Sequence, residues 1–163
     1  MDILQLLQSI KTVEDKNRLY SEIEVVLAAI YKEGELVKVL SSQVSRTLAE
    51  YVGNPPASQA RALRAGETSQ EIIPQKLSDL KKSLDELVVV KLTLAFEPSK
   101  STIDKILAFL RQNLGEKTIL EVKFESKILG GVIFEFRGLY GDYTLKTKLE
   151  EVFKNKREEL YKI

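Results

Sequence analysis

The segment Leu120–Leu149 reads LEVKFESKILGGVIFEFRGLYGDYTLKTKL, and it decides the fold of the second half of the chain. Apolar and charged residues alternate at 120–125 and again at 132–137, a period of two that is typical of half-buried strands. Between them lies Gly130-Gly131, a pair that permits backbone conformations closed to other residues or lets another segment approach closely. We therefore expect two strands that are joined as a hairpin through this glycine pair.

The flanking segments complete a small α+β unit. Val88–Phe96 is rich in β-branched residues and predicts a central strand. A helix capped by Ser99 or Ser101 then runs to about Leu114, and Thr144 begins a final helix. The apolar face of that last helix consists of Leu145, Leu149, Val152, Phe153 and Leu160. The predicted order is β-α-β-β-α over residues 88–163.

The first half of the chain predicts helices. A short amphipathic helix is expected at 3–10, and Thr12 with Asp15 three residues later is suited to cap a second helix at 13–32. A third helix is expected at 35–52, where the sequence Gly53-Asn54-Pro55-Pro56 stops it.

Residues 56–71 contain few large aliphatic side chains, so we interpret them as a linker or as a weakly packed helix at 57–64. Arg46, Arg61 and Arg64 are more typical of solvated arginines than of a phosphate site. A narrow apolar seam follows, formed by Ile73, Leu77, Leu80, Leu84 and Leu87. We expect an N-terminal helical bundle at 1–70, a connecting helix at 71–87 and a C-terminal α+β domain at 88–163.

Composition bounds the function. The chain has 163 residues, 44% of them hydrophobic, with 25 basic and 24 acidic residues for a net charge of +1. This balance argues against a nucleic-acid or anionic membrane partner. Cysteine and histidine are both absent, which removes thiolate metal sites and the commonest general base and metal ligand. We expect a soluble protein with no signal peptide, no transit peptide and no membrane insertion, because no apolar run approaches about 20 residues.

Catalysis is not indicated. No dinucleotide-binding or Walker A pattern occurs, and Gly115-Glu116-Lys117-Thr118 lacks the earlier glycine and the Gly-Lys pair of a P-loop. The acidic residues alternate with lysine along helix faces, as solvated surfaces do, although lysine or paired carboxylates could still catalyse a reaction. We expect no catalytic residue, no cofactor and no metal.

An RNA-binding α+β module is an alternative function. Its stacking platform would be formed by Phe134, Phe136, Tyr140 and Tyr143, with Arg137, Lys146 and Lys148 beside it. The near-neutral charge weighs against this interpretation.

The segment LEVKFESKILGGVIFEF, followed by Asp142-Tyr143-Thr144-Leu145, resembles the carboxy-terminal signature of the ATP synthase delta subunit, which in mitochondria is called the oligomycin-sensitivity-conferring protein. That signature places a strand, a Gly-Gly pair, an alternating strand, an Asp-x-Ser element and a basic helix in this order, and Thr144 stands here for the serine. The resemblance covers about residues 88–160. The amino-terminal half is divergent or shortened, with room for four or five helices before Val88 where the family has six.

The resemblance implies a non-catalytic stator subunit in a heteromeric complex. In that family the amino-terminal bundle holds the amino-terminal helices of alpha subunits, and the carboxy-terminal domain holds the carboxy-terminal helices of the b subunit. By analogy, the first interface would use exposed members of the set Leu6, Leu7, Ile10, Ile23, Leu27, Leu40 and Val44. The second would lie around Ile128, Leu129, Phe136, Leu149 and Phe153.

The same resemblance implies a cytoplasmic location, peripheral on the inner face of a bacterial cell membrane through the complex. The structural motif would consist of Gly130, Gly131, Asp142 and Thr144. An alternative stalk subunit is the E subunit of archaeal and vacuolar ATPases, which also has a Gly-Gly element before its last strand. That subunit usually begins with one long helix, whereas Gly34 and the stop at 53–56 predict a broken one here.

Overall fold

The computed structural model describes residues 2–32, 35–53 and 69–160. Within these ranges the helices are α1 Ile3–Ser9, α2 Val13–Ile30, α3 Glu35–Ser42, α4 Arg46–Gly53, α5 Ser69–Asp85, α6 Lys100–Leu114 and α7 Leu145–Leu160. The strands are β1 Val88–Leu94, β2 Thr118–Phe124, β3 Val132–Phe136 and β4 Leu139–Asp142. This layout confirms the predicted α+β class, with helices first and a sheet in the carboxy-terminal half. The predicted helix at 57–64, Gly34, Arg61 and Arg64 lie outside the described residues.

The chain forms two compact units, Met1–Leu87 and Val88–Ile163. In the first unit, α2 packs on α3 and α5, and α1 packs on α4 and α5. The predicted seam is confirmed, because its five members, Ile73, Leu77, Leu80, Leu84 and Leu87, are all buried. The division at 1–70 and 71–87, with a separate connecting helix, stays a prediction.

Local sequence explains how the second helix begins. Thr12 accepts a hydrogen bond from the Asp15 backbone N–H, and the Asp15 carboxylate accepts one from the Thr12 N–H. This reciprocal arrangement confirms the predicted cap.

The predicted single helix at 35–52 is wrong, because the chain breaks between Ser42 and Arg46. The Ser41 and Ser42 hydroxyls both donate to the Lys38 carbonyl, a local bond that competes with helix continuation. Ser45 then caps α4, and its N–H and hydroxyl donate to the carboxylate of Glu22 on α2 at 3.0 and 2.6 Å. The break therefore depends on a contact with another helix.

Helix α4 carries a partner of suitable charge at each end. The Glu22 carboxylate lies at its amino terminus, and the buried Lys76 ammonium group donates to the Tyr51 carbonyl near its carboxy terminus. Lys76 also lies 4.3 Å from the centroid of the Tyr51 ring, and burial lowers the pKa of its ammonium group. Both charges complement the helix dipole and so favour the observed position of α4.

The second unit is a four-stranded sheet in the order β2-β1-β3-β4. β1 runs parallel to β2 and antiparallel to β3, and β3 and β4 form an antiparallel pair. The prediction that β1 is central is correct, since strands lie on both sides of it.

The predicted hairpin between β2 and β3 is wrong. Both strands pair with β1 from opposite sides, so residues 125–131 cross the end of β1 instead of turning back. Alternation of apolar and polar residues identifies a strand but does not show which strands lie beside it. The strand with the most buried apolar residues, β1, lies in the interior of the sheet. The observed hairpin joins β3 and β4 through Arg137 and Gly138.

One face of the sheet packs under α6. The buried cluster there consists of Val90, Leu92, Leu107, Leu110 and Leu120, with Ile103, Ile106, Val122, Val132, Phe134 and Phe136 partly buried around it. Ser99 accepts a hydrogen bond from the Thr102 N–H, which confirms it as the cap of α6. The opposite face carries Lys91 between Glu121 and Glu135 in register across three strands. This face is therefore charged around Lys91, whereas Val89 and the fully buried Ile119 make its other end apolar.

Candidate partner-binding surface

The start of α7 is built on the glycine pair. The Leu145 N–H donates to the Gly130 carbonyl at 2.8 Å, and the Tyr143 N–H donates to the Val132 carbonyl at 2.9 Å. Gly131 has a φ of +97°, and a Cβ built on it would lie 2.2 Å from the Tyr143 carbonyl oxygen. Gly131 is thus required both for its backbone conformation and for the close approach of Tyr143.

Asp142 and Thr144 complete this junction. The Asp142 carboxylate accepts a hydrogen bond from the Thr144 N–H at 2.9 Å, and the buried Thr144 hydroxyl accepts one from the Thr147 N–H at 3.4 Å. The bond from the Thr144 backbone lowers the pKa of Asp142, with the Thr144 and Thr147 hydroxyls adding to the effect. These contacts fix where α7 begins and attach its first turn to the sheet.

Beyond this junction, α7 presents an apolar stripe. Leu145, Leu149, Val152 and Phe153 recur at positions i, i+4, i+7 and i+8, the spacing of one helix face. All four side chains are between 41% and 62% exposed. Leu129 is 76% exposed and precedes Gly130, whose carbonyl binds the first turn of α7. Exposed apolar surfaces of this kind are typical of protein contact sites, and partner binding here stays a prediction.

The sequence identified part of this surface. Among the predicted residues of the second interface, Leu129, Leu149 and Phe153 are exposed, whereas Ile128 is half-buried. Phe136 packs against the cluster beneath α6, and its ring lies 6.3 Å from that of Phe134.

The sequence places Leu145 and Val152 on this helix face, but they are not among the predicted binding residues. Only the 4-3-1 spacing that they share with Leu149 and Phe153 could have identified them. Their role in binding a partner, like that of the other predicted residues, stays a prediction.

The predicted residues of the first interface divide by burial. Leu6, Leu7, Ile10 and Ile23 belong to the buried core of the first unit, so they do not meet the condition of exposure. The half-buried members of the set are Leu27, Leu40 and Val44. Helical spacing alone does not separate these two groups, because both recur at core-facing intervals.

The described residues do not support the RNA-binding alternative or a phosphate loop at Gly115–Thr118. Phe134 and Phe136 lie under α6, whereas Tyr140 pairs with Glu135 on the other face, so these aromatics do not form one stacking surface. Gly115 ends α6, and the Thr118 hydroxyl donates back to its carbonyl. Among the residues that the structure describes, no three acidic side chains gather as a metal site, and no helix is long and apolar enough to span a membrane.

Comparison with known proteins gives a family match. The family described as the ATP synthase delta (OSCP) subunit matches residues 5–155, which is nearly the whole chain and includes both units. A search of curated proteins finds no significant match. The family match confirms the resemblance drawn from the Gly-Gly segment and extends it into the helical half.

Proposed function

The chain belongs to the ATP synthase delta (OSCP) subunit family, and from that premise we propose that it links the catalytic alpha/beta hexamer to the helices of the b subunit. The family is a non-catalytic component of the peripheral stalk of F-type ATP synthases, and it is peripheral to the membrane through the complex. In the proposed role the chain performs no reaction. It holds the hexamer still against the torque of the rotor, so that proton flow is coupled to ATP synthesis.

The observation that carries this proposal is the exposed stripe on α7. A stripe of four apolar residues at helical spacing fits a second amphipathic helix, which would lay its own apolar face along it. Leu145, Leu149 and Val152 follow the four-three spacing of a helix-helix seam. Lys146 and Glu150 form an ion pair on the same helix, so charged groups remain near the stripe to orient a partner.

A comparison of the free energy of burial with the free-energy cost of association favours attachment of the chain at two points. Burying a fully exposed side chain of this kind contributes about 1.5–3 kcal/mol, and because these four are only about half exposed, burying the rest of all four contributes roughly 3–6 kcal/mol. Association itself costs roughly 4–15 kcal/mol, so this stripe alone supports weak binding. A second contact, made by the helical unit with an alpha subunit, would raise the overall affinity because the two attachments act together. The half-buried Leu27, Leu40 and Val44 are the proposed contributors to that contact.

The test is co-purification of the full chain with the F1 hexamer and, separately, with the carboxy-terminal region of the b subunit. The doubly substituted variant Leu149→Ser/Phe153→Ser is expected to lose the b subunit while it keeps F1. The matched control is Phe109→Ser, which removes a similarly exposed aromatic from α6 and should retain both partners. Failure of the unmodified, folded chain to retain either partner would contradict the proposal.

A further inference from the structure

Helix α7 lies outside the packed core beyond its first turn. Every side chain from Lys148 to Lys154 is exposed, and this segment makes nearly two complete turns, so it includes all sides of the helix. In α6, by contrast, Leu107 and Leu110 are buried against the sheet. Between Lys148 and Lys154, α7 therefore has no buried face.

The exposure of the stripe agrees with a helix that packs against nothing. Leu149, Val152 and Phe153 are 41%, 50% and 62% exposed. A side chain on a helix lies over the turn that precedes it, so the helix itself shields part of its surface. Half-exposure of these residues therefore requires no contact with another element.

The first turn of α7 is different, because groups outside the helix anchor it. The Leu145 N–H donates to the Gly130 carbonyl at 2.8 Å, and the Thr144 N–H donates to the Asp142 carboxylate at 2.9 Å. Forming the first turn is the costly step of helix formation, since several residues are fixed for one hydrogen bond. The junction with the sheet therefore supplies the nucleus from which α7 extends.

Beyond this nucleus, α7 depends on local interactions. Lys146 and Glu150 form an ion pair at 3.8 Å, with side chains 73% and 68% exposed, and exposed pairs of this kind add little stability. Most helical stability in proteins comes from packing of an apolar face, and isolated helices shorter than about 12–15 residues are marginal in water. α7 has 16 residues and lacks such packing, so its later turns are only weakly stabilised.

We propose that the part of α7 beyond its first turn exchanges between helix and less ordered conformations in the free protein, and that a partner helix completes it by covering the stripe. The identity of the partner rests on the proposed function, whereas the state of the free helix does not. Binding then includes the ordering of α7, so the affinity falls in proportion to the fraction of molecules in which this helix is formed.

Amide hydrogen exchange of the free full chain, followed by NMR, tests the state of the free helix. The Leu107 amide in α6 should be at least a hundredfold more protected than the Val152 amide in α7. The Lys148 amide, which donates to the Thr144 carbonyl at 3.2 Å in the first turn, should lie between them. Protection of Val152 equal to that of Leu107 would overturn the inference.

Two variants at one position test whether partner binding orders α7. Glu151 is exposed and lies on the side of α7 away from the stripe, so Glu151→Ala and Glu151→Gly change helix propensity without changing the stripe. By calorimetry, Glu151→Gly should bind the carboxy-terminal region of the b subunit about fivefold more weakly than Glu151→Ala. The matched control is Ala108→Gly, which makes the same alanine-to-glycine change at an exposed position of the packed helix α6 and should leave this affinity unchanged.

Equal affinities of Glu151→Gly and Glu151→Ala would also overturn the inference, because α7 would then be complete before the partner binds. The exchange experiment separates the inference from the stator role. If the b-subunit region does not bind but Val152 exchanges as expected, the proposed function fails and the inference about the free helix stands. If that region binds and Val152 is as protected as Leu107, the inference fails and the stator role stands.

Discussion

Gly131 and Tyr143 approach so closely that a Cβ on the glycine would lie 2.2 Å from the Tyr143 carbonyl oxygen. Gly131→Ala is therefore expected to be strongly destabilising. The substitution adds this clash to the cost of a φ of +97°, and together they should lower the free energy of unfolding by about 2–4 kcal/mol. Urea denaturation followed by circular dichroism measures the change.

Gly53→Ala is the control for that experiment, since a Cβ there meets nothing within 4 Å and the position has no positive φ. It should change stability by less than about 1 kcal/mol. A Gly131→Ala protein as stable as Gly53→Ala would mean that Tyr143 can move away from Gly131, and that the junction does not fix the start of α7.

In the β3–β4 turn, one residue other than glycine adopts a backbone conformation that is unfavourable for it. Arg137 has a φ of +47° and Gly138 a φ of +80°, so both central residues of this two-residue turn have a positive φ, as in a type I′ turn. Arg137→Asn should stabilise the chain by about 0.5–1 kcal/mol, because asparagine tolerates this conformation better.

The Arg137 guanidinium also lies 5.2 Å from the centroid of the Phe136 ring. Loss of this cation–π contact in Arg137→Asn would lower stability and so oppose the gain from the backbone. Thermal unfolding of Arg137→Asn, Arg137→Gly and Arg137→Lys separates the two effects. A gain for asparagine and glycine but not for lysine supports the backbone explanation. A loss for asparagine and glycine with none for lysine would show that the cation–π contact dominates.

The sequence was sufficient to predict features that depend on residues close together in the chain. The Thr12 cap and the buried seam of α5 are predicted, and the cap of α6 is narrowed to Ser99 or Ser101, because caps and apolar spacing involve residues only a few positions apart. The order of the strands was not. Whether β2 pairs with β3 or with β1 depends on competition among whole strands, and alternation within each strand carries no information about it.

The same limit applies to the candidate surfaces. Ile23 on α2 and Leu149 on α7 occupy equivalent places in amphipathic patterns, yet the first is fully buried and the second is exposed. Periodicity identifies the apolar face of a helix but not whether the same chain covers it. The break at Ser42–Arg46 depends on Glu22, more than twenty residues earlier in the chain, so the local sequence gave only the serine cluster as a hint.

Acid should loosen the start of α7 through Asp142. The bond from the Thr144 N–H lowers the pKa of this carboxyl in the folded chain. The ionised Asp142 therefore stabilises the fold at pH values above its ordinary, unfolded-state pKa, and this stabilisation is lost as the pH falls through the lowered pKa of the folded state. Asp142→Ala should therefore destabilise the junction at neutral pH, and its difference from the unmodified chain should shrink in acid. Amide hydrogen exchange at Thr144 and Leu145 measures this, and a difference that grows in acid would contradict it.

At the opposite end of the pH range, Tyr20 links α2 to α5. Its hydroxyl donates to the Asp85 carboxylate at 2.5 Å, and burial, together with the hydrogen bond and the charge of Asp85, raises the pKa of Tyr20 to about 12. A phenol with a raised pKa stabilises the fold fully below its unfolded value of about 10, and this stabilisation is lost as the pH rises from about 10 to about 12.

Tyr20→Phe should accordingly lower the free energy of unfolding by about 1 kcal/mol at about pH 8, and the difference should diminish by about pH 11. Burial lowers the pKa of Lys76, but this residue is present in both proteins, so its contribution to the pH dependence of stability cancels in the comparison. Tyr31→Phe removes an exposed hydroxyl and should change stability at neither pH. If the Tyr20→Phe difference is constant between the two pH values, the Asp85 bond does not hold the phenolic proton, and it is not the contact that joins α2 to α5 at this point.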